Sequence, residues 1–262
     1  MHQYLFFIGN FPIRLYGIFF SLGIISGCIT AYFLLKKDRR GWESHMFDLG
    51  LVIAFAGIVG GRLWDVFFFD WEYYHNHLLE IPYIWQGGMA IQGGIIFACI
   101  AAYFYLKKHQ IPVLPFADTV TPGIILGQAI GRIANFMNGD AFGHPTGQDF
   151  GLLYPDTTLA YHTYGAQPLW PAEVWECQGD LLIFVLLLWY GCKTRAEGTT
   201  FCLYIMFYSL LRFFLENYRG DYGTLALGLK SAQLTSLAAF AGAFILFLYF
   251  HFKHKSKSGI SK

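Results

Sequence analysis

Charged side chains are scarce in this chain of 262 residues. Asp, Glu, Lys and Arg together make up 13% of it, whereas soluble domains carry about 25%. That scarcity argues against a water-soluble domain, whose surface would need more charge. The formal net charge is only +1, so the chain lacks the strong basic stripe with which proteins bind nucleic acid. We therefore expect no nucleic-acid partner.

Cysteine is sparse as well. The five cysteines are odd in number, widely spaced and mostly set in apolar runs: Cys28, Cys99, Cys177, Cys192 and Cys202. A disulfide framework or a metal site would show short, recurrent spacings. We interpret these residues as small residues of the membrane core, and we expect neither a metal nor a cofactor.

Long apolar runs dominate what remains. Apolar and aromatic residues make up 55% of the chain. Runs long enough to cross about 30 Å of hydrocarbon lie at about 13–35, 46–69, 89–106, 115–135, 172–191, 199–218 and 232–251. The sequence predicts an all-α integral membrane protein of about seven transmembrane helices, forming a single transmembrane domain over residues 1–262. Basic residues follow the first run rather than precede it, so we expect a retained helix and not a signal peptide.

Basic residues also predict the orientation of the chain. Twelve of its 18 Lys and Arg residues follow alternate spans: Lys36, Lys37, Arg39, Arg40, Lys107, Lys108, Lys193, Arg195, Lys253, Lys255, Lys257 and Lys262. The positive-inside rule makes that side cytoplasmic, with the N-terminus out and the C-terminus in. The opposite side then carries the extracytoplasmic loops at about 70–88, 136–171 and 219–231, and long loops often carry function.

Glycines at four-residue spacing predict close helix packing. Gly57 and Gly61 lie in the second span, and Gly123, Gly127 and Gly131 lie in the fourth. In a bilayer such spacing lets helix backbones approach closely. The alternative is that the spacing reflects glycine abundance alone.

Arginines within the spans are candidates for function, because charge is costly in hydrocarbon and usually faces the protein interior or a wet cavity. Arg62 has Asp65 one turn further on, which fits an ion-paired structural residue. Arg132 ends the fourth span and Arg212 lies in the sixth. Two arginines from different helices would suit a phosphate, which guanidinium groups hold by paired hydrogen bonds. At the outer bilayer boundary, that phosphate suggests a phospholipid headgroup.

The sixth span carries a polar face. Tyr208, Arg212 and Glu216 recur every four residues, so they share one side of the helix, with Arg219 a turn beyond. The fourth span ends with Arg132, with an amide, Asn135, one turn later, and a glycine-containing turn follows. These residues predict a polar pocket running inward from the outer mouth of the protein.

The segment from Gly131 to Gly143 resembles the signature of the prolipoprotein diacylglyceryl transferases, Gly-Arg-x-x-Asn-Phe-x-Asn-x-Glu-x-x-Gly. Every fixed position matches except the acid, which here is Asp140. Weaker similarities follow in the same order as in the family, at Leu15-Tyr16-Gly17, Gly60-Gly61-Arg62, Trp85 to Gly94, and Tyr208-x-x-x-Arg212-x-x-x-Glu216-x-x-Arg219. The resemblance covers nearly the whole chain.

The resemblance implies a multi-pass enzyme of the bacterial cytoplasmic (inner) membrane. Such an enzyme transfers an sn-1,2-diacylglyceryl group from phosphatidylglycerol to the lipobox cysteine of a preprolipoprotein signal peptide, forming a thioether and releasing glycerol 1-phosphate. Its partners would be phosphatidylglycerol, that signal peptide and membrane lipid. Catalytic roles would fall to Arg132, Arg212, Asp140 and Gln92. Substrate binding would involve both arginines together with Tyr16, Asn135, Gly143, Tyr208 and Glu216.

The chain departs from the family pattern in three places. Gln92 stands where the family has a histidine, Asp140 where it has a glutamate, and 170–176 where it has His-Pro-Ser/Thr-Gln-Leu-Tyr-Glu. Glutamine cannot accept a proton near neutral pH. If the histidine of the family acts as a base for the thiol, either Glu173, Asp140 or His144 takes that role here or the reaction differs. Two alternatives follow. The chain could be a divergent paralogue that uses phospholipid with another acceptor, or a non-catalytic protein that binds or transports lipid.

Overall fold

The computed structural model describes residues 3–9, 11–191, 196–220 and 228–257. Helices dominate this part of the chain: α1 (Leu15–Asp38), α2 (Met46–Trp64), α3 (Trp71–Tyr74), α4 (Ile91–Lys108), α5 (Val113–Asn138), α6 (Leu159–Tyr164), α7 (Ala172–Gly191), α8 (Thr199–Leu215) and α9 (Ser231–Lys257). An antiparallel hairpin of β1 (Tyr4–Ile8) and β2 (Phe11–Arg14) precedes α1. The sequence analysis did not predict this hairpin.

All seven predicted spans form helices. Within the described ranges, four helical segments are long and apolar enough to cross a membrane: α1, α5, α9 up to Lys255, and a continuous segment Trp42–Phe69 that contains α2. Helix α8 is apolar but shorter. The prediction of a helical, multi-pass membrane protein is therefore confirmed. The count of seven spans stays a prediction, because α4, α7 and α8 do not meet the same length and composition.

The chain packs as two compact units. The first comprises Met1–Leu34 and Ala117–Lys262, and the second comprises Leu35–Phe116. Both expose large apolar side chains on their long helices: Phe55 in α2 is 72% exposed, and Ile245 in α9 is 66% exposed. Extensive exposed apolar surface of this kind marks a membrane-facing protein.

In the first unit, α1 and α5 meet at glycines. A Cβ atom on Gly23 would lie 2.8 Å from the carbonyl oxygen of Gly127, and one on Gly123 would overlap the carbonyl oxygen of Gly27. Close packing is thus confirmed for Gly123 and Gly127. The prediction of close packing is wrong for Gly131, where a Cβ atom would meet nothing within 4 Å. Only the first two glycines of that series face another helix.

In the second unit, α2 and α4 pack in the same way. A Cβ atom on Gly61 would lie 3.3 Å from the Ala90 carbonyl oxygen, which is a tight contact, whereas one on Gly57 would make an ordinary contact at 3.7 Å. The closest approach is at Gly60, where a Cβ atom would overlap the carbonyl oxygen of Gly93. The glycine spacing therefore predicted the face of α2 that packs against α4, but not the glycine at which the two helices are closest.

Arg62 of α2 is 3% exposed and holds the loop that follows the helix. Its guanidinium donates to four backbone carbonyl oxygens at 2.7–3.1 Å, those of Glu80, Ile81, Gly87 and Gly88. The Asp65 carboxylate lies 4.0 Å away. Arg62 is therefore a structural residue, and its main partners are backbone atoms rather than Asp65.

Asp118 of α5 fixes the start of α8 in the first unit. Its two carboxylate oxygens accept hydrogen bonds from the backbone amides of Gly198, at 2.7 Å, and Phe201, at 2.8 Å. These amides have no partner within their own helix. A carboxylate at a helix N-terminus also interacts favourably with the helix dipole. Asp118 thereby sets the position of the helix that carries Tyr208 and Arg212.

The four described cysteines are free thiols. Cys202 is buried, Cys28 and Cys177 are half-buried, and Cys99 is exposed on α4. Their positions in apolar helices are compatible with the interpretation as small residues of the membrane core, which stays a prediction. Cys192 lies outside the described residues, as do three of the basic residues used for orientation, Lys193, Arg195 and Lys262, and part of the predicted loop 219–231, residues 221–227.

Candidate active site

The turn after α5 is built around Asp140. Its carboxylate accepts one hydrogen bond from the Asn135 side-chain amide, at 2.9 Å, and one from Asn138, at 3.1 Å. Gly139 ends the helix with a φ of 73°, a conformation that glycine adopts without steric cost. Asp140, the acid of the signature, therefore fixes the side chains of both asparagines in that signature. With both oxygens occupied, its evident role in this structure is to organise the turn.

Gly143 joins three segments of the first unit. The backbone next to it pairs on two sides, since the His144 amide donates to the Tyr218 carbonyl at 2.9 Å and the Trp170 amide donates to the His144 carbonyl at 3.0 Å. A Cβ atom on Gly143 would overlap the Trp170 carbonyl. Glycine is therefore required here for packing. Nδ1 of the His144 ring forms a hydrogen bond with the Pro145 carbonyl oxygen at 2.8 Å.

The predicted loop 136–171 has a small core of its own. Phe142, Tyr154, Ala160 and Leu169 are buried together. The Tyr154 hydroxyl donates to the carboxylate of Glu173 at the start of α7. Burial, followed by the nearby Glu173 carboxylate, raises the pKa of Tyr154, so this phenol stays protonated as a donor. The loop therefore has its own buried cluster and is joined to the start of α7 by the hydrogen bond from Tyr154 to Glu173.

Arg132 and Arg212 converge on one carboxylate. Arg132 of α5 donates through Nη2 to Oε1 of Glu176, at 2.8 Å, and Arg212 of α8 donates through Nη1 to Oε2, at 3.0 Å. Glu176 belongs to α7 and is fully buried. The two arginines that the sequence placed on different helices thus lie side by side, held together by an acid from a third helix.

Further polar groups surround this triad. Arg132 donates to Oδ1 of Asn135 at 3.2 Å, and the Tyr208 hydroxyl donates to Oε1 of Glu176 at 3.3 Å. Arg212 also pairs with Glu216 at 2.9 Å. Asn135, Tyr208 and Glu216, all predicted as substrate-binding residues, therefore lie in one network with both arginines.

Two more cations complete the network. Nη1 of Arg219 lies 3.7 Å from Oε2 of Glu176, and Nζ of Lys230 lies 3.9 Å from Oε1 of Glu216. Lys230 also donates to the backbone carbonyls of Glu216 and Arg219. The sequence did not indicate Lys230 as a site residue. Nothing in its own neighbourhood of the sequence links it to the polar face of α8.

Sequence reasoning also missed the central role of Glu176. A signal for it was present, because Glu173, Glu176 and Asp180 recur at intervals of three and four residues in an apolar helix and so share one face. All three are fully buried. Neither carboxylate oxygen of Asp180 has a hydrogen-bond partner within the described ranges. Burial of three acids on one helix face is costly unless cations or hydrogen-bond donors compensate them, so such a face in an apolar helix is a candidate for function.

Two predicted residues lie at helix starts. Tyr16 is the second residue of α1, is half-buried, and lies within electrostatic reach of Asp140 and Arg132. Gln92 is the second residue of α4, is exposed, and belongs to the second unit, Leu35–Phe116. The first unit therefore brings together every predicted site residue except Gln92.

The chain is similar to one family of known proteins over nearly its whole length. The family model of prolipoprotein diacylglyceryl transferase matches residues 3–249. A phosphatidylglycerol–prolipoprotein diacylglyceryl transferase of Clostridium botulinum is 35% identical over 238 residues, covering 90% of this chain and 92% of the relative. The Staphylococcus saprophyticus protein of the same name is 36% identical, covering 88% of this chain and 82% of the relative. That of Halalkalibacterium halodurans is 33% identical, covering 92% and 84%. The chain belongs to the prolipoprotein diacylglyceryl transferase family.

Proposed function

We propose that this protein transfers the sn-1,2-diacylglyceryl group of phosphatidylglycerol to the lipobox cysteine of a preprolipoprotein signal peptide. The observation that carries the proposal is the convergence of Arg132 and Arg212 on one carboxylate. Planar guanidinium groups that hold a carboxylate by paired hydrogen bonds suit a phosphate equally well. The names of the relatives supply the lipid, the transferred group and the acceptor protein.

The reaction exchanges one bond at a glycerol carbon of the lipid. The thiol sulfur of the acceptor donates an electron pair to that carbon, and the carbon–oxygen bond to the phosphate breaks. The electron pair of that bond stays on the phosphate oxygen, and the thiol proton passes to water or to the released phosphate, so the products are a thioether and glycerol 1-phosphate. Arg132 and Arg212 would stabilise the charge that develops on the leaving phosphate.

In the proposed arrangement, seven helices cross the bacterial cytoplasmic (inner) membrane as a single transmembrane domain, with the N-terminus outside. The loops at about 70–88, 136–171 and 219–231 then face outward, which puts the arginines near the outer leaflet. Cysteines introduced near residue 150 in a Cys-less background should react with an impermeant thiol reagent added to cells. Cysteines near residue 109 should not react. The reverse labelling pattern would refute this orientation.

The activity itself is tested with purified protein, labelled phosphatidylglycerol and a lipobox peptide. The expected product is a peptide thioether with release of glycerol 1-phosphate, and a peptide with serine in place of the lipobox cysteine is the matched control. Binding of phosphatidylglycerol without any thioether product would favour the paralogue with another acceptor. Gln92, standing where the family has histidine, is the observation that keeps that second candidate open. Phosphatidylglycerol bound no better than phosphatidylcholine would refute both.

A further inference from the structure

The side chain of Glu176 occupies the centre of the arginine pair. Its Oε1 accepts from Arg132, and its Oε2 accepts from Arg212, at 2.8 and 3.0 Å. A third guanidinium, that of Arg219, lies 3.7 Å from Oε2. The Glu176 side chain is only 1% exposed. One buried carboxylate thus takes the position at which three cationic side chains meet.

A carboxylate and a phosphodiester present similar groups to these arginines. Each offers two oxygens that share one negative charge, and each accepts charge-assisted hydrogen bonds from guanidinium groups. A phosphate held by both Arg132 and Arg212 would need the oxygen positions that Glu176 fills. Lipid phosphate and Glu176 therefore compete for one site.

The ion pairs of the network show which acid the two clamping arginines share. Its ion pairs connect four cations, Arg132, Arg212, Arg219 and Lys230, with two carboxylates, Glu176 and Glu216. Guanidinium groups that are largely withdrawn from water require a nearby negative charge. Glu216 is already engaged by Arg212 and Lys230, so Glu176 is the acid that the two clamping arginines share. A phosphate that replaced it would restore the same pairing.

We infer that Glu176 is an internal counterion that holds Arg132 and Arg212 together in the lipid-free protein and is displaced by the phosphate of the lipid. The inference deepens the proposed function and rests on it for the identity of the phosphate. It makes Glu176 a positioning residue, which keeps the arginines assembled and neutralised until a substrate arrives. Because the lipid must displace an internal competitor, its apparent affinity is lower than that of the empty arginine pair.

The test is the binding of phosphatidylglycerol by Glu176→Gln, which keeps the shape of the side chain and removes its charge. Loss of the competitor should tighten binding by about tenfold, corresponding to 1.4 kcal/mol. The measurement is a titration of purified protein with nanodiscs that contain phosphatidylglycerol in phosphatidylcholine, with pure phosphatidylcholine as the blank. Glu216→Gln is the matched control, since it removes a carboxylate that Arg212 contacts but Arg132 does not, and its effect should be smaller.

A purely structural role for Glu176 makes the opposite prediction, because loosened arginines would bind the lipid less well. Unchanged or weaker binding by folded Glu176→Gln would therefore overturn the inference. If that variant does not fold, Glu176→Asp serves instead, since the shorter side chain weakens the contacts but keeps the charge, and it should bind lipid more tightly than the wild type. The binding titration contains no acceptor peptide. A wild type that binds phosphatidylglycerol but forms no thioether would thus refute the proposed activity without touching this inference.

Discussion

Arg62 in the second unit and the Arg132–Arg212 pair in the first all lie in apolar helices, yet they bind different partners, Arg62 being buried and the pair half-buried. Arg62 donates to four backbone carbonyls of its own following loop. Arg132 and Arg212 donate to side chains, chiefly the carboxylate of Glu176. A backbone carbonyl cannot leave without unfolding its loop, whereas a side-chain carboxylate can move aside for a ligand. We therefore expect the partner, and not the position within an apolar helix, to separate structural from functional arginines.

The largest expected effect is on the arginine pair. Arg132→Ala or Arg212→Ala should lower turnover by on the order of 10²–10³, the usual cost of losing a charge-stabilising contact in a transition state. Lysine at either position should also serve poorly, because a point charge cannot donate two parallel hydrogen bonds. The measurement is thioether formation from phosphatidylglycerol and a lipobox peptide.

The lysine variants are the informative controls for folding, because they keep Glu176 paired with a cation. Their thermal unfolding in detergent should stay close to that of the wild type. A folded Arg212→Ala protein that retained most of its activity would end the phosphate assignment. It would also erase the contrast with Arg62, since both kinds of arginine would then be structural.

For Arg62 the expected effect is on stability. Arg62→Lys keeps the positive charge beside Asp65 but cannot satisfy four carbonyls, and buried acceptors without a partner cost about 1–3 kcal/mol. The variant should unfold at a lower temperature and be cut more readily by protease within residues 78–88. Turnover per folded molecule should change little. A strong loss of turnover at unchanged stability would show that Arg62 takes part in the chemistry.

Sequence reasoning predicted the helices and most of the site because both depend on local patterns. Apolar runs gave the spans, and four-residue spacing put Tyr208, Arg212 and Glu216 on one face. The pairing of Glu176 with Arg132 joins residues 44 positions apart, and no local pattern encodes such a distance. The role of Arg62 was only half visible, because Asp65 is a neighbour in sequence whereas its carbonyl partners lie 18–26 positions away.

The N-terminal hairpin and the tight contact at Gly60 were missed for a related reason. The hairpin is short, and its apolar residues continue directly into the first span, so composition alone does not separate the two. Gly60 and Gly93 belong to different helices, and their contact depends on how α2 and α4 cross. Spacing within one helix identifies the face that packs. Which glycine on or next to that face comes closest to the partner helix depends on how the two helices cross.

Asp118 extends the same contrast to an acid, since it binds backbone amides where Glu176 binds side chains. Asp118→Asn keeps one acceptor oxygen and loses the charge at the start of α8. Loss of a good helix cap costs about 1 kcal/mol, so the melting temperature should fall modestly. Turnover of the folded variant should stay within a few-fold of the wild type. A larger effect on binding of phosphatidylglycerol than on stability would place Asp118 with the functional acids.

The smallest expected effect is at Gln92, which tests whether the second unit contributes chemistry as well as structure. A free thiol has a pKa of about 8.5, and the thiolate is the nucleophile. Gln92 can hydrogen-bond but cannot take a proton, so wild-type turnover should rise as pH increases toward the thiol pKa. Gln92→His adds a group that titrates near neutrality. It should keep or raise turnover near pH 7 and flatten the pH profile.

Gln92→Leu is the matched control, because it fills similar space without hydrogen bonding, and it should lower turnover without changing the shape of the pH profile. The measurement is the rate of thioether formation by the three proteins between about pH 6 and 9, a range that brackets the histidine and thiol pKa values. Loss of activity in folded Gln92→His would mean that the amide itself is required by the acceptor chemistry. If instead all three proteins gave the same rates at every pH, position 92 would have no part in the reaction, and the chemistry would belong to the unit that holds Arg132 and Arg212.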